Sequence, residues 1–219
     1  MTNLPIVFFI AFHGGICLHV FCEKVLSDAS RLMMCEKDMK RKNTIKTCRY
    51  DSPCGVLTLG SLEDKLCMCD WQIERHRGHV DRRLKRMLFA EFEDGTSEVI
   101  EKAIRELDEF FAGERREFDI PLLFVGTDFQ KKVWRELLEI PYGSTVSYGE
   151  LARQIGMPTA VRAVANANGA NSISIFAPCH RVIGSDNSLT GYGGGLEAKR
   201  KLLELEGVQA ACSNTTNGL

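Results

Sequence analysis

The chain has 219 residues, 44% hydrophobic and 26% charged, with a formal net charge of −1. That is an ordinary globular mixture, long enough for one large domain or two small ones. It excludes a whole-protein positive field, so any contact with nucleic acid must come from local geometry. The nine cysteines, at 17, 22, 35, 48, 54, 67, 69, 179 and 212, follow no repeated spacing. An odd count without a framework points to a reducing, cytoplasmic setting and to thiols that are buried or incidental.

Residues 4–12, LPIVFFIAF, form an apolar run. No Lys or Arg precedes it, His13 and His19 break its continuation, and it is short for a membrane span. We read 1–42 as an upstream extension outside the fold, with no membrane role, and an export signal in its apolar run as the alternative. From 43 to 125 the pattern is that of a small α/β unit. TIKTCRY, GVLTLGS and KLCMCDW read as strands, separated by the turn signals Asp51-Ser52-Pro53 and Glu63-Asp64. RHRGHVDRRLKRML is locally basic and reads first as a solvated helix face, second as a phosphate-contacting patch. Ser97 to Phe111 is an amphipathic helix whose Ile100, Ala103, Ile104, Leu107, Phe110 and Phe111 share a face, and Gly113 stops it.

Residues 126–207 make a second unit. Thr127 with Gln130 forms a capping box for a helix to Ile140, with Val133, Trp134, Leu137 and Leu138 as its apolar face. Ser147 with Glu150 caps a short helix to Ile155. A Gly156-Met157-Pro158 turn then leads to a third helix, about 159–168, rich in small residues. Two short helices joined by such a turn match a helix-turn-helix, and small residues suit either close packing or close approach to a DNA groove. From Thr127 to Gly207 nine Lys/Arg stand against eight Asp/Glu. That net of +1 predicts few phosphate contacts and a log–log salt slope no steeper than about −5, unless the basic segment 75–86 also binds. Residues 208–219 read as a tail.

The chemistry concentrates after the third helix. Ile173, Ile175 and Phe176 read as a buried strand ending at Pro178-Cys179-His180-Arg181. A cysteine there is first a small hydrophobe. The adjacent His180, the following Arg181, which argues against complete burial, and the glycine-rich GYGGG together favour a nucleophile beside a flat ligand. A thiol near pKa 8.5 needs a base. Side chains i and i+1 on a strand diverge, so His180 would act after a chain bend or through a water. Glu204 and Glu206 are the candidates to orient it; a carboxylate at a helix C-terminus opposes the dipole and implies a partner.

PCHRV, with upstream SYGELA and the RAV–N spacing and downstream TGYGGG–LLELEG, resembles the O6-alkylguanine-DNA alkyltransferases. The resemblance is strong from Thr127 to Gly207 and weaker back to about residue 45, through DSP-CG-L-L. It implies an α/β (α+β) fold: a small N-terminal ribonuclease-H-like domain, then a C-terminal winged helix-turn-helix-like alkyltransferase domain. It implies irreversible, single-turnover transfer of a methyl or alkyl group from O6-alkylguanine, and O4-alkylthymine, in double-stranded DNA to Cys179. His180 would be the base, Glu206 its orienting partner, and Asn171 part of the same network. Tyr148, Val182, Tyr192 and Gly193 would hold the flipped base. Arg162 would fill the vacated stack and Ala163 would touch DNA, with the helix-turn-helix in the minor groove. A monomer without cofactor is implied. Some relatives bind zinc with Cys and His, but the positions near Asn43 and Leu62 carry neither, and Cys67-x-Cys69 with His76-x-x-His79 reads as core rather than metal site. Two rivals remain from the residues alone: a cysteine hydrolase, and a catalytically silent winged-helix lesion sensor or regulator.

Overall fold

A computed structural model of the protein describes residues 42–208, apart from the side chains of 74–77. The readings of the apolar N-terminal run, of His76 as a ligand and of the C-terminal tail lie outside these residues. In chain order the elements are β1 (Asn43–Ser52), β2 (Gly55–Leu62), β3 (Lys65–Trp71), α1 (Glu74–Leu88), β4 (Ala90–Asp94), α2 (Glu98–Phe111), α3 (Asp128–Leu138), β5 (Val146–Ser147), α4 (Tyr148–Gln154), α5 (Val161–Gly169), a 3-10 turn (Cys179–Arg181), β6 (Val182–Ile183) and α6 (Gly195–Leu205). The fold is mixed α/β, a sheet-bearing first half and a mainly helical second half.

The first half is a four-stranded sheet in the order β3-β2-β1-β4, antiparallel except for the parallel β1–β4 pair. β4 is absent from the sequence reading. AEFED is short, charged and mostly exposed, without alternation, and its strand character comes from pairing with β1. Ser97 caps α2 by accepting from the Ile100 amide, and Ile100, Ala103, Leu107 and Phe110 are buried beneath it, while Ile104 and Phe111 are only partly covered.

The second half hangs on two capping boxes, Thr127/Gln130 on α3 and Ser147/Glu150 on α4, each with both reciprocal hydrogen bonds. Val133, Trp134 and Leu137 are buried under α3, but Leu138 is 44% exposed and does not belong to the apolar face. Trp134 donates from Nε1 to the Ala167 carbonyl at 2.8 Å, tying α3 to α5.

The two halves are joined along β3. Its outer edge pairs with Leu122 and with Ile173, through Leu66 N to Pro121 O at 2.9 Å, Cys69 N to Ser172 O at 2.8 Å and Ser174 N to Cys69 O at 2.8 Å. An otherwise open edge is thereby covered. One hydrophobic core runs across the join: Leu57, Leu59, Leu66 and Trp71 from the sheet, Leu107 and Phe110 from α2, and Ile173, Ile175, Phe176 and Leu202 from the second half.

This join corrects the expected strand at 173–176. Only Ile173 bridges; the chain then turns, with Ile175 in the left-handed region at φ 72°. Asn171 forces the turn: its Oδ1 accepts from Ile173 N at 3.0 Å and its Nδ2 donates to Ala177 O at 2.9 Å. These bonds satisfy locally the backbone groups a strand would pair elsewhere. A β-branched residue at positive φ is strained.

Candidate active site

Cys179 opens the 3-10 turn and is 4% exposed. The cysteine and histidine therefore sit on a turn, and the alternation argument for a strand does not govern them. Burial pushes the Cys179 thiol up; hydrogen bonds from Asn171 and Ser174 and the charge of Lys199 work against that rise.

His180 is fully buried. Its Nε2 lies 2.8 Å from Glu206 Oε1. Burial alone would raise the Glu206 carboxyl, but hydrogen bonding and charge from His180 and Arg181 prevail and bring it down to about 2. A carboxylate only accepts, so Nε2 carries the proton. Burial lowers the imidazole below its ordinary range, against the pull of Glu206, which keeps it neutral at physiological pH. Nδ1, buried and without a hydrogen bond among the described residues, is then the basic nitrogen.

Arg181 overturns the expectation that it holds the segment at the surface: it is 6% exposed. Its Nε donates to Glu206 Oε2 at 2.9 Å, its Nη2 to Oε1 at 3.0 Å and its Nη1 to Ile140 O at 2.6 Å. The Gly143 amide adds a bond to Oε2 at 3.1 Å. Glu206, at the C-cap of α6, thus receives four donor groups from two segments, the 3-10 turn and the loop at Gly143. Glu204, the other candidate, faces outward and pairs with Arg200.

Lys199, missed by the sequence reading, is fully buried and donates to Val182 O at 2.6 Å and Thr190 O at 2.8 Å. Burial lowers its ammonium to about 8. In sequence it is one of three basic residues in AKRK, and helix periodicity alone separates it from its solvated neighbours. Tyr192 packs edge-on against Trp71, with centroids 5.8 Å apart, and 6.5 Å from the His180 ring. Trp71 of β3 therefore backs the GYGGG segment, another contribution the sequence reading lacked.

A cavity of about 10 Å³ lies at Cys179, lined also by Asp70, Asn168, Asn171, Ser174, Tyr192 and Gly193. It adjoins a surface pocket of about 400 Å³, formed by Tyr148, Ala165, Asn166, Gly169 and the Thr190–Gly193 segment. Tyr148 donates toward Thr190 O at 3.4 Å across this pocket. Arg162 and Ala163 stand exposed on α5, away from the buried Val164 and Ala167. The structure thus gathers Cys179, Asn171, Tyr192 and Gly193 around one cavity, sets Tyr148 at the adjoining pocket, and places Val182 behind it on Lys199. A much larger cavity, about 810 Å³, is lined by the 116–124 segment, α3 and Tyr142 and includes neither Cys179 nor His180.

Among the described residues five cysteines are free thiols, no group of His, Cys, Asp and Glu is placed to hold a metal, and no helix is long and apolar enough to cross a membrane.

Two family profiles match the chain. The ribonuclease-like domain of 6-O-methylguanine DNA methyltransferase matches residues 45–124, and the DNA binding domain of the same family matches residues 128–208. A methylated-DNA–protein-cysteine methyltransferase of Mycobacterium tuberculosis is 48% identical over 168 residues, which is 75% of this chain and 94% of that protein. One from Haemophilus influenzae is 41% identical over 77% of this chain and 89% of its own length. Among solved structures, Mycobacterium tuberculosis OGT in complex with DNA superposes with a TM-score of 0.62 at 47% identity, covering 74% of this chain and 92% of that one.

Proposed function

The chain belongs to the 6-O-methylguanine DNA methyltransferase family and carries its methylated-DNA–protein-cysteine methyltransferase activity in DNA repair, and from that premise we propose that Cys179 is the alkyl acceptor, used once. The observation that carries this reading is the buried His180–Glu206 pair on the same turn as Cys179: Glu206 fixes the proton on His180 Nε2 at 2.8 Å and leaves Nδ1 basic.

The substrate is O6-alkylguanine, and O4-alkylthymine, in duplex DNA approached from the minor groove. An alkyl group on O6 lies inside the duplex, so the base must leave the stack, at a cost of a few kcal/mol. Arg162 takes its place and recovers part of that cost, and Ala163 lets the helix backbone approach. The base sits in the Tyr148–Gly193 pocket and presents only its alkyl group to the small cavity at Cys179. The Gly193 amide reads its edge together with the Val182 carbonyl, through the lone pair that Lys199 leaves free, and Tyr192 walls it.

The thiol proton passes to His180 Nδ1 through a water. The sulfur then attacks the alkyl carbon; the S–C bond forms as the C–O6 bond breaks, and the electron pair leaves on guanine O6. A proton from Tyr148 neutralises that charge. Glu206 and Asn171 act as positioning residues. The product is a thioether, which water does not reopen and which nothing in the site reverses. The working unit is a monomer, with residues 43–125 as the supporting domain and 126–207 as the DNA-binding, reactive one.

Intact-protein mass after mixing with a duplex holding one O6-methylguanine tests this. A gain of one methylene per chain, mapped to Cys179 and absent in Cys179→Ala, is expected. Unchanged mass with DNA still bound would leave a lesion sensor.

A further inference from the structure

The basic helix α1 remains outside the site described so far. From Glu74 to Leu88 it holds six Arg or Lys against two acidic residues, Glu74 and Asp81. Its apolar side is spent on the fold: Val80 and Leu84 are buried against Ile45, Met68 and Val125. His79, Arg82, Arg83 and Arg86 follow at i, i+3, i+4 and i+7, an arc of about 100° on a different side of the helix.

These residues do different jobs. Arg83 is an anchor: Nη2 donates to Ala170 O at 2.8 Å, just past the end of α5, and its guanidinium lies 5.2 Å over the Trp134 ring. Lys85 is engaged with Glu91 at 2.9 Å. Arg82 and Arg86 are exposed. Arg82 Nη2 lies 3.2 Å from the exposed His79 Nδ1, and neither Arg82 nor Arg86 is held by an acidic residue in the ion pairs described above.

Between α1 and α5 runs a groove of about 650 Å³, lined by His79, Val80 and Arg83 on one side and Ala165, Asn166, Gly169 and Ala170 on the other. Ala165, Asn166 and Gly169 also line the pocket beside Tyr148 and Tyr192. They recur with Arg162 at helical spacing, so one small-residue face of α5 is flanked by the base pocket on one side and by α1 on the other. A duplex laid along that face is bordered by α1.

We propose that the Arg82 and Arg86 face of α1 is an auxiliary binding surface for the DNA phosphate backbone flanking the lesion. The inference rests on the alkyltransferase reading above, and it changes one expectation of that reading. The second half alone, at net +1, gives a shallow salt dependence. With α1 engaged, each phosphate neutralised adds about 0.9 to the magnitude of the log–log slope.

The test compares the full chain with Arg82→Ala/Arg86→Ala and with Arg82→Lys/Arg86→Lys, titrating a lesion-bearing duplex across a salt series by fluorescence anisotropy. The alanine pair is expected to weaken Kd about fivefold or more at low salt and to flatten the slope by about 2, and the lysine pair to restore both. Unfolding midpoints are compared alongside, since both side chains are exposed and packing is not at stake. Equal Kd and equal slope in all three proteins would overturn the proposal. Loss in the alanine pair without recovery in the lysine pair would overturn it as well, because a phosphate contact needs the charge. Methyl transfer to Cys179 in the parent protein is scored separately: its absence removes the repair reading, while the salt slopes still decide whether α1 meets DNA.

Discussion

The Glu206 carboxylate is a charged group held in the interior, 5% exposed. Buried charges are costly unless paired and hydrogen-bonded. Here His180, Arg181 and Gly143 supply the partners at 2.8 to 3.1 Å. The arrangement fixes an acid limit with a definite sign. The Glu206 carboxyl falls from its ordinary 4.5 to about 2, so its contribution is complete above about pH 4.5 and is lost as pH falls toward 2. The His180 imidazole is lowered from 6.5, so the unfolded chain takes up a proton first and stability begins to fall below that value. Glu206→Gln leaves Arg181 buried without its counter-charge and is expected to cost about 3–5 kcal/mol. Urea midpoints between pH 7 and 3 should be lower for the variant throughout and should change less below pH 4.5; parallel curves would show that Glu206 does not carry the acid limit. Sequence reading reached Glu206 because a carboxylate at a helix C-terminus needs a partner and because the family resemblance places the orienting carboxylate there, although Glu204 also stood as a candidate. Only the turn of α6 separates the two. Arg181 was misread for a physical reason: arginine is rarely buried, except where a carboxylate can take its planar fork from two sides.

At the level of elements, the helices were legible and the reactive segment was not. Capping boxes and apolar spacing are local signals, so Thr127/Gln130, Ser147/Glu150 and the α2 face could be read along the chain. The segment from Asn171 to Cys179 takes its shape from Asn171 and from β3, about a hundred residues earlier, and its apolar composition mimics a strand. The GYGGG segment is shaped in the same long-range way. A Cβ on Gly194 would stand 2.6 Å from the Trp71 ring, so glycine is required there by the ring and not by a positive φ. Gly194→Ala should therefore displace Tyr192 and slow methyl transfer. Trp71→Ala also harms the parent, by removing the backing of Tyr192. In the Gly194→Ala background, however, it should cost less, because the clash disappears with the ring. Single-turnover rates of the four proteins give the coupling, and additive effects would rule out this contact as the reason for glycine.

At the scale of the whole molecule, one of the three hydrophobic clusters of the described residues spans both halves and carries the reactive edge. The two halves that read as separate units in sequence share Leu57, Leu59, Leu66 and Trp71 on one side with Ile173, Ile175, Phe176 and Leu202 on the other. Composition shifts and linkers mark segments but do not reveal which apolar faces meet. Exposing those four residues of the second half would cost about 1.5–3 kcal/mol each, a sum comparable to the whole stability of an ordinary domain, about 5–15 kcal/mol. The second half should therefore not hold its reactive loop alone. Calorimetry of the full chain is expected to give one transition, with calorimetric and van't Hoff enthalpies equal over the described core. A fragment beginning at residue 126 should lack a cooperative transition and should not transfer methyl to Cys179. Two resolved transitions, or a fragment that transfers at the parent's rate, would mean that the β3 edge and Trp71 merely accompany the site. The opposite result would explain why a chemistry confined to a short turn is carried on two domains: the sheet supplies the edge against which the strained turn at Ile175 is held, and so holds the thiol beside its base.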